Sequence, residues 1–271
     1  MTPIRLLVSD VDGTLVTPDK TLTPAALEAG EAIARAGIPF CLVSSRPARG
    51  MMELIRALDV RQPCAAFNGG RIFERGGETL EAHSLPKDAT AEALDQIAKA
   101  GAGAWVFSGD DWLLTDPGGD EVWRERRTVG FEPVQVADLK AARGPVGKIV
   151  GVSDDPAVLD RCHASAAPAL AGRASVCRSQ SYYLDFTHPA ADKGYAVTAL
   201  ARRLGVPLEA TAVIGDMDND LPMFAVAGFS VAMGQASDQV KSAAHAVTAS
   251  NSEDGFARAI HELILPRAVT V

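Results

Sequence analysis

Cysteine is scarce in this sequence. There are four in 271 residues: Cys41, Cys64, Cys162 and Cys177. No two stand at the spacing of a zinc site or a redox pair, which excludes a cysteine-built metal centre and a disulfide scaffold. The apolar settings "PFCLVSS" and "PCAAFNGG" predict buried free thiols at Cys41 and Cys64. No apolar run is long enough to span a bilayer, so no membrane partner is expected. "MTPIRLLVSD" reaches an aspartate too soon for a secretory leader, and the expected compartment is the cytoplasm. Positive charge is also short, with 26 Lys and Arg against 34 Asp and Glu and a net charge of −8. That balance argues against a nucleic-acid partner bound through a broad basic face, while leaving room for a local phosphate pocket. Repeats and low-complexity segments are absent. What remains is 47% hydrophobic and 22% charged, ordinary for a globular protein and long enough for two domains.

The chain opens with "IRLLVSD" (4–10), a short continuous apolar run that predicts a strand buried on both faces. Thr23 and Pro24 fit the N-cap and first position of a helix that Gly37 ends. "IPFCLVSS" (38–45) predicts a second strand, 47–60 a helix, and "PCAAFNGG" (63–70) a third strand-like run. This alternation predicts an α/β fold with a Rossmann-like parallel sheet. The middle changes character. Helices at 88–101 and "PAVLDRCHASAAPAL", together with strands in "AWVFSG", "DWLLTD", "VGKIVGVSD", "RASVCRS" and "SYYLDFTH", predict an inserted α+β domain over 84–187. The first pattern then returns: a helix over 192–205, strands at 210–216 and 229–234, and a last helix in "SEDGFARAIHELI". The expected division is a core of 1–83 and 188–271 with 84–187 inserted.

In an open parallel sheet, ligands bind beyond the carboxyl ends of the strands. Three predicted strands end in chemically suggestive residues. One gives Asp10 and Asp12, another Ser44, Ser45 and Arg46, and a later one the run "GDMDND" with Asp216, Asn219 and Asp220. Asp192-Lys193-Gly194 opens the helix between them. Asp10 and Asp12 share one face of an extended chain. Burying such carboxylates together is costly without a cation. Oxygen ligands in this number suit Mg²⁺. A lone "DxD" is more often a solvated turn, but a second acidic cluster at another strand end weakens that reading. Ser44 and Ser45 can cap a helix, and hydroxyl and amide groups there also suit an anion.

These four segments, in order, resemble the signature motifs of the haloacid dehalogenase superfamily of phosphohydrolases. "DVDGTL" is similar to motif I, "VSSR" to motif II, "DKG" to the motif III lysine and "GDMDND" to motif IV. "VAMGQASDQVKSAAHAVTASNSEDG" resembles the Cof-type, subclass IIB branch, whose large α/β cap lies between motifs II and III. The resemblance implies a haloacid dehalogenase fold with a cap. It also implies a Mg²⁺-dependent phosphatase acting on small phosphorylated metabolites, sugar or polyol phosphates among them. Asp10 is implied as the nucleophile that forms an aspartyl-phosphate, which splits one hard step into two. Asp12 is implied as the general acid and base. Asp10 and Asp216 are implied as side-chain metal ligands, Asp12 as a backbone ligand, and Asp220 as a support or water-mediated ligand. Ser44, Ser45, Lys193 and Asn219 are implied to bind the phosphoryl group, with Gly13 giving backbone room and Thr14 anchoring the loop.

The sequence departs from the family at Ser45, where motif II usually has glycine. Asn68 either touches substrate or merely tolerates a left-handed turn. Arg46 contacts substrate, bridges to the cap, or forms a surface ion pair. His188 approaches the leaving group or stays a loop histidine. Lys148, Arg178, Tyr183 and Asp185 fall in cap strands and read as a solvated sheet face. Two other functions stay open: a phosphomannomutase-like phosphotransferase and a noncatalytic phosphometabolite-binding protein. The intact Asp10, Asp12, Lys193 and Asp216 argue against the latter. No motif in 84–187 names a substrate.

Overall fold

A computed structural model of the protein describes residues 2–142 and 144–268. The chain begins β1 (Leu6–Ser9), α1 (Pro24–Arg35), β2 (Phe40–Leu42), α2 (Met52–Ala57), β3 (Cys64–Ala66), β4 (Arg71–Phe73) and β5 (Thr79–Ala82). It continues through α3 (Lys87–Ala100), β6 (Gly103–Ser108), β7 (Asp111–Leu114), α4 (Asp120–Val129), β8 (Val134–Gln135), β9 (Val146–Val152), α5 (Pro156–Ala169), β10 (Ser175–Gln180) and β11 (Tyr183–Thr187). It closes with α6 (Lys193–Leu204), β12 (Thr211–Gly215), α7 (Leu221–Val226), β13 (Phe229–Ala232), α8 (Asp238–Ala243), β14 (Ala246–Val247) and α9 (Gly255–Arg258).

The first sheet is parallel, in the order β14-β13-β12-β1-β2. Every residue of β1 and β12 is buried, as their uninterrupted apolar runs require. The chain leaves β1 toward β2 on one side and returns as β12 on the other. The gap between β1 and β12 is therefore the switch point where a ligand crevice opens. Local signals agree: Thr23 Oγ1 accepts from the Ala26 amide at 3.1 Å, with Pro24 in the first turn.

The strand-like run at 63–70 ends in a turn, as its Asn68-Gly69-Gly70 suggests, but it does not join the parallel sheet. Only Cys64–Ala66 is strand, and it pairs antiparallel with β4 in a separate sheet, β3-β4-β5. A single parallel bridge, Val43 to Ala65, ties it to the core. Phe67 and Asn68 are both left-handed, at φ 53° and 56°, and this stops the strand. The last predicted helix also splits, α9 passing into a π-helical stretch over Ala259–Ile264.

The second sheet runs β10-β11-β9-β6-β7-β8 and is antiparallel except for the β7–β8 pair. One face packs on α3 and α5 through Val106, Ile149, Leu184 and Phe186. The alternate residues, Lys148, Val150, Tyr183 and Asp185, point the other way. That face is closed by α4 and the first domain, not by water. Lys148 is 4% exposed and Asp185 fully buried, which corrects the expectation of a solvated face there; Tyr183 is buried too, and only Arg178 reaches solvent in part. The contact is tight. A Cβ on Gly147 would come within 2.7 Å of the Phe67 ring, and that ring lies 6.0 Å from Phe107.

Candidate active site

β1 delivers Asp10 to the crevice, with its amide donating to Ile214 O at 2.9 Å as a continuation of the ladder to β12. β12 delivers Asp216 beside it. Lys193, the first residue of α6, is 2% exposed and donates from Nζ to Asp10 Oδ1 and to Asp220 Oδ1, both at 2.6 Å. The other Asp220 oxygen accepts from the amides of Asp216 and Met217 at 2.8 and 2.9 Å. Asp220 thus shapes the loop that carries Asp216. Thr14 Oγ1 donates to Asp216 Oδ1 at 3.3 Å, and Gln235 Nε2 donates to Gly13 O at 2.6 Å and to Asp216 Oδ2 at 3.4 Å. Gly13 has φ +85°, and a Cβ there would collide with the Asp216 carboxylate.

Burial pushes Asp10 up to about 7; Lys193 pulls against this, while Asp220 and Asp12 add to it. Burial, then Asp10 and Asp220, push Asp216 up to about 8. For Lys193, burial works against the charge, but Asp10 and Asp220 outweigh it and hold the ammonium above its ordinary range. One lysine among three carboxylates leaves the crevice short of positive charge.

Hard oxygen donors in this arrangement fit Mg²⁺. Asp10, Asp216 and Asp220 each bring a carboxylate oxygen within 4.8 Å of the others, and all three are buried. Asp10 Oδ2 is buried without a hydrogen-bond partner. The Asp220 oxygens are held by bonds of 2.6 to 2.9 Å, and those of Asp216 only by long bonds of 3.3 and 3.4 Å, so direct ligand capacity rests with Asp10 and Asp216.

Asp12 takes a different part. Arg46 grips it with two bonds, Nε to Oδ2 at 2.7 Å and Nη2 to Oδ1 at 2.8 Å, and Lys20 Nζ adds a third at 2.8 Å. Burial would raise its pKa; Arg46 and then Lys20 outweigh this and hold the carboxyl well below the usual range. Arg46 is 5% exposed and also donates to Gly50 O. It forms neither the surface pair nor the bridge to the cap considered from sequence.

Ser44 is fully buried, and its Oγ accepts from the Arg46 amide at 3.1 Å. Ser45 faces the crevice between the domains. The amides of Phe67 and Asn68 donate to Arg46 O and Ser44 O at 3.0 and 2.8 Å, which fixes the left-handed turn against the phosphate-loop candidate. Asn219 Nδ2 donates to Asn68 Oδ1 at 3.2 Å, while Asn68 Nδ2 and Asn219 Oδ1 stay buried and unpartnered. Asp10, Asp12, Ser44, Ser45, Arg46, Asn68, Lys193, Asp216, Asn219 and Asp220 therefore gather at one crevice. His188 goes elsewhere: its Nδ1 accepts from the Ala190 amide, and its ring stacks on His83 at 5.2 Å. The reading from residues alone missed Lys20, Gln235 and Glu125, and it singled out Lys148 and Asp185 but read them as solvated where they form a buried pair. Lys20 carries one late signal, a left-handed φ of 63° in a non-glycine residue.

The family model for haloacid dehalogenase-like hydrolases matches residues 7–260. A Haemophilus influenzae protein, provisionally named a phosphatase, is 30% identical over 260 residues, which is 95% of this chain and 97% of that one. The HMP-PP phosphatase of Cronobacter sakazakii is 29% identical over 237 residues, 87% of this chain and 86% of that one. The crystal structure of a haloacid dehalogenase-like hydrolase from Bacteroides thetaiotaomicron superposes with a TM-score of 0.86 at 28% identity, covering 96% of this chain and 99% of that one. With its parallel sheet, its inserted second sheet and its buried acidic crevice, the chain belongs to the haloacid dehalogenase-like hydrolases.

Proposed function

We propose that the protein is a Mg²⁺-dependent phosphatase that hydrolyses small phosphomonoesters, sugar or polyol phosphates among them, through an aspartyl-phosphate on Asp10. The observation that carries this reading is the free oxygen of Asp10. Lys193 holds Oδ1 at 2.6 Å and leaves Oδ2 buried and unpartnered at the crevice. Asp10 Oδ2 attacks phosphorus, the bond to the leaving oxygen breaks, and Asp12 gives that oxygen a proton. Asp12 then takes a proton from water. The hydroxide attacks phosphorus, the bond to Asp10 breaks, and phosphate leaves. Ser44, Ser45, Lys193, the free Asn68 Nδ2 and the second Nδ2 hydrogen of Asn219 donate to the phosphoryl oxygens, so charge is met where it develops. The ion pairs at Asp12 have a role in this sequence. A phosphoryl dianion competes for Arg46 and Lys20; as they turn to it, burial raises the proton affinity of Asp12, which takes a proton from solvent and holds it for the leaving oxygen. Asp10 and Asp216, supported by Asp220, would hold Mg²⁺, which supplies positive charge to the phosphoryl group and to the crowded carboxylates.

Phosphate release across a panel of sugar, polyol, nucleotide and cofactor phosphates tests this reading, with Mg²⁺ or EDTA and beside Asp10→Asn. Expected is metal-dependent turnover that the substitution abolishes. Turnover that survives it removes Asp10 as the nucleophile.

A further inference from the structure

A cleft of about 670 Å³ opens between the core and the cap, away from Asp10. Lys20 and Arg46 line its inner end, and Arg49, Arg56 and Arg127 line the rest, against one carboxylate, Glu53. In a chain of net charge −8 this is a local excess of the opposite sign. Other arginines find carboxylates: Arg35, Arg61 and Arg124 lie within 3.2 Å of Glu31, Asp59 and Asp154. In the cleft, the ion pairs among the described residues are those of Lys20 and Arg46 with Asp12, so Arg49, Arg56 and Arg127 face it unpaired.

The cleft follows a seam that the two domains share. Gly50 lies so close to α4 that a Cβ on it would stand 3.1 Å from the Val129 Cα, and the Arg49 guanidinium of the core lies 4.3 Å from the centre of the Phe131 ring of the cap. Arg127, on α4, lies over Trp123 one turn back, at 4.9 Å. A guanidinium laid flat on a ring keeps its N–H edge for an oxygen acceptor, and its plane is set before the acceptor arrives. The inner wall is thin. Lys20, Arg46 and Thr128 line both this cleft and the small chamber beside Asp12. Arg46 faces both ways: its Nε and Nη2 bond Asp12, and its Nη1 donates to the carbonyl of Gly50, which lines the cleft. A leaving group whose ester oxygen sits at Asp12 therefore has its far end toward the arginines.

We propose that the arginine cleft is a second anion site for the leaving group, and that the preferred substrates carry a further oxyanion, a phosphate or a carboxylate, beyond the phosphoester. This rests on the phosphatase reading above. Phosphate and carboxylate both accept two parallel bonds from a guanidinium, which is the chemistry they share. Arg127 comes from the cap, and Arg49 and Arg56 from the core, so an anion between them also holds the two domains together over the substrate. A neutral leaving group gains nothing from the three guanidiniums, which stay solvated.

The test compares kcat/KM for butyl phosphate, butane-1,4-diol bisphosphate and 4-phosphooxybutanoate, with the three- and six-carbon members of each series, in wild type, Arg56→Gln, Arg127→Gln and the double variant. In at least one length, wild type is expected to prefer a doubly charged ester over the alkyl phosphate by tenfold or more, well beyond the twofold that two equivalent phosphates give by statistics. Whichever of phosphate and carboxylate gives the larger preference identifies the group. Each single variant is expected to shrink that preference at least threefold, and the double variant at least tenfold. Both arginines are exposed, and general damage lowers all the esters together and leaves the ratio standing. A preference below tenfold at every length, or one that the double variant keeps, overturns the proposal. Turnover of no ester by wild type is the separate failure of the phosphatase reading. Calorimetry with butane-1,4-bisphosphonate and butylphosphonate then decides the cleft: binding of the bisphosphonate that is tenfold tighter, and lost in the double variant, keeps it as an anion site, and equal binding of the two overturns it.

Discussion

Arg46 holds Asp12 through two parallel bonds of 2.7 and 2.8 Å, from a guanidinium that is 5% exposed. The fork matches a carboxylate edge on, so it sets where the carboxyl points as well as its charge. Arg46→Ala leaves Lys20 as the remaining cation on Asp12. Asp12 should then titrate higher, and the alkaline limb of the pH profile of kcat/KM, which the proton on the acid sets, should move to higher pH. An unmoved limb would mean that the pair does not govern the acid and base. Arg46→Lys should restore charge but not orientation, and recover only part of kcat.

Lys193 is the counter-charge at the centre of the site. Removing one member of a buried charged network while its partners stay is strongly destabilising, by about 3–5 kcal/mol. Lys193→Met should lower unfolding stability by that order in EDTA, and Mg²⁺ should return part of it by replacing the lost cation. Urea unfolding with and without Mg²⁺ measures both effects. Stability equal to wild type in EDTA would show that the carboxylates do not need the lysine.

The raised carboxyls set a pH dependence for the metal-free protein. Asp10 at about 7 and Asp216 at about 8 bind protons more tightly folded than unfolded. Their contribution to stability is complete below the ordinary carboxylate value of about 4 and is lost as pH rises through about 8. A cation must displace those protons, so the gain in Tm on adding Mg²⁺ should grow between pH 5 and pH 8. A gain that is flat with pH would show that neither carboxyl is protonated in the free protein.

Gly13 packs directly against Asp216 with φ +85°. Gly13→Ala should push the Asp216 carboxylate out of place. A misplacement of about 1 Å costs on the order of a hundredfold in rate, and Mg²⁺ affinity should fall with it. Titration of activity against Mg²⁺ separates the two. Saturating Mg²⁺ that restores the full rate would confine the damage to binding.

Much of this site was legible because the core strands are buried on both faces. Continuous apolar runs that end in Asp10, Ser44 or Asp216 have no reason to carry charge unless a ligand waits there. The cap was legible as an outline and not as an interior. Lys148 and Asp185 alternate with apolar neighbours, which is the pattern of a sheet with one wet face. What covers that face is another domain, a tertiary fact that no local period records. Glu125 sits in "DEVWRERR", among charges that do reach solvent, and nothing in the string separates it from them. Lys20 and Gln235 reach the site from loops, where spacing carries no direction. The strand-like run at 63–70 gives way to its turn one residue before Asn68, because Phe67 as well as Asn68 takes left-handed backbone. Asn68-Gly69 hints at that turn, but Phe67 does not.

The most direct test of the account is to acid-quench the enzyme during turnover and locate phosphate on the chain by mass spectrometry. The account predicts a phosphoryl group on the peptide that carries Asp10, absent in Asp10→Asn and trapped for longer when Asp12 is replaced by Asn. Turnover of the same ester with no covalent phosphate on Asp10 at any quench time would contradict it.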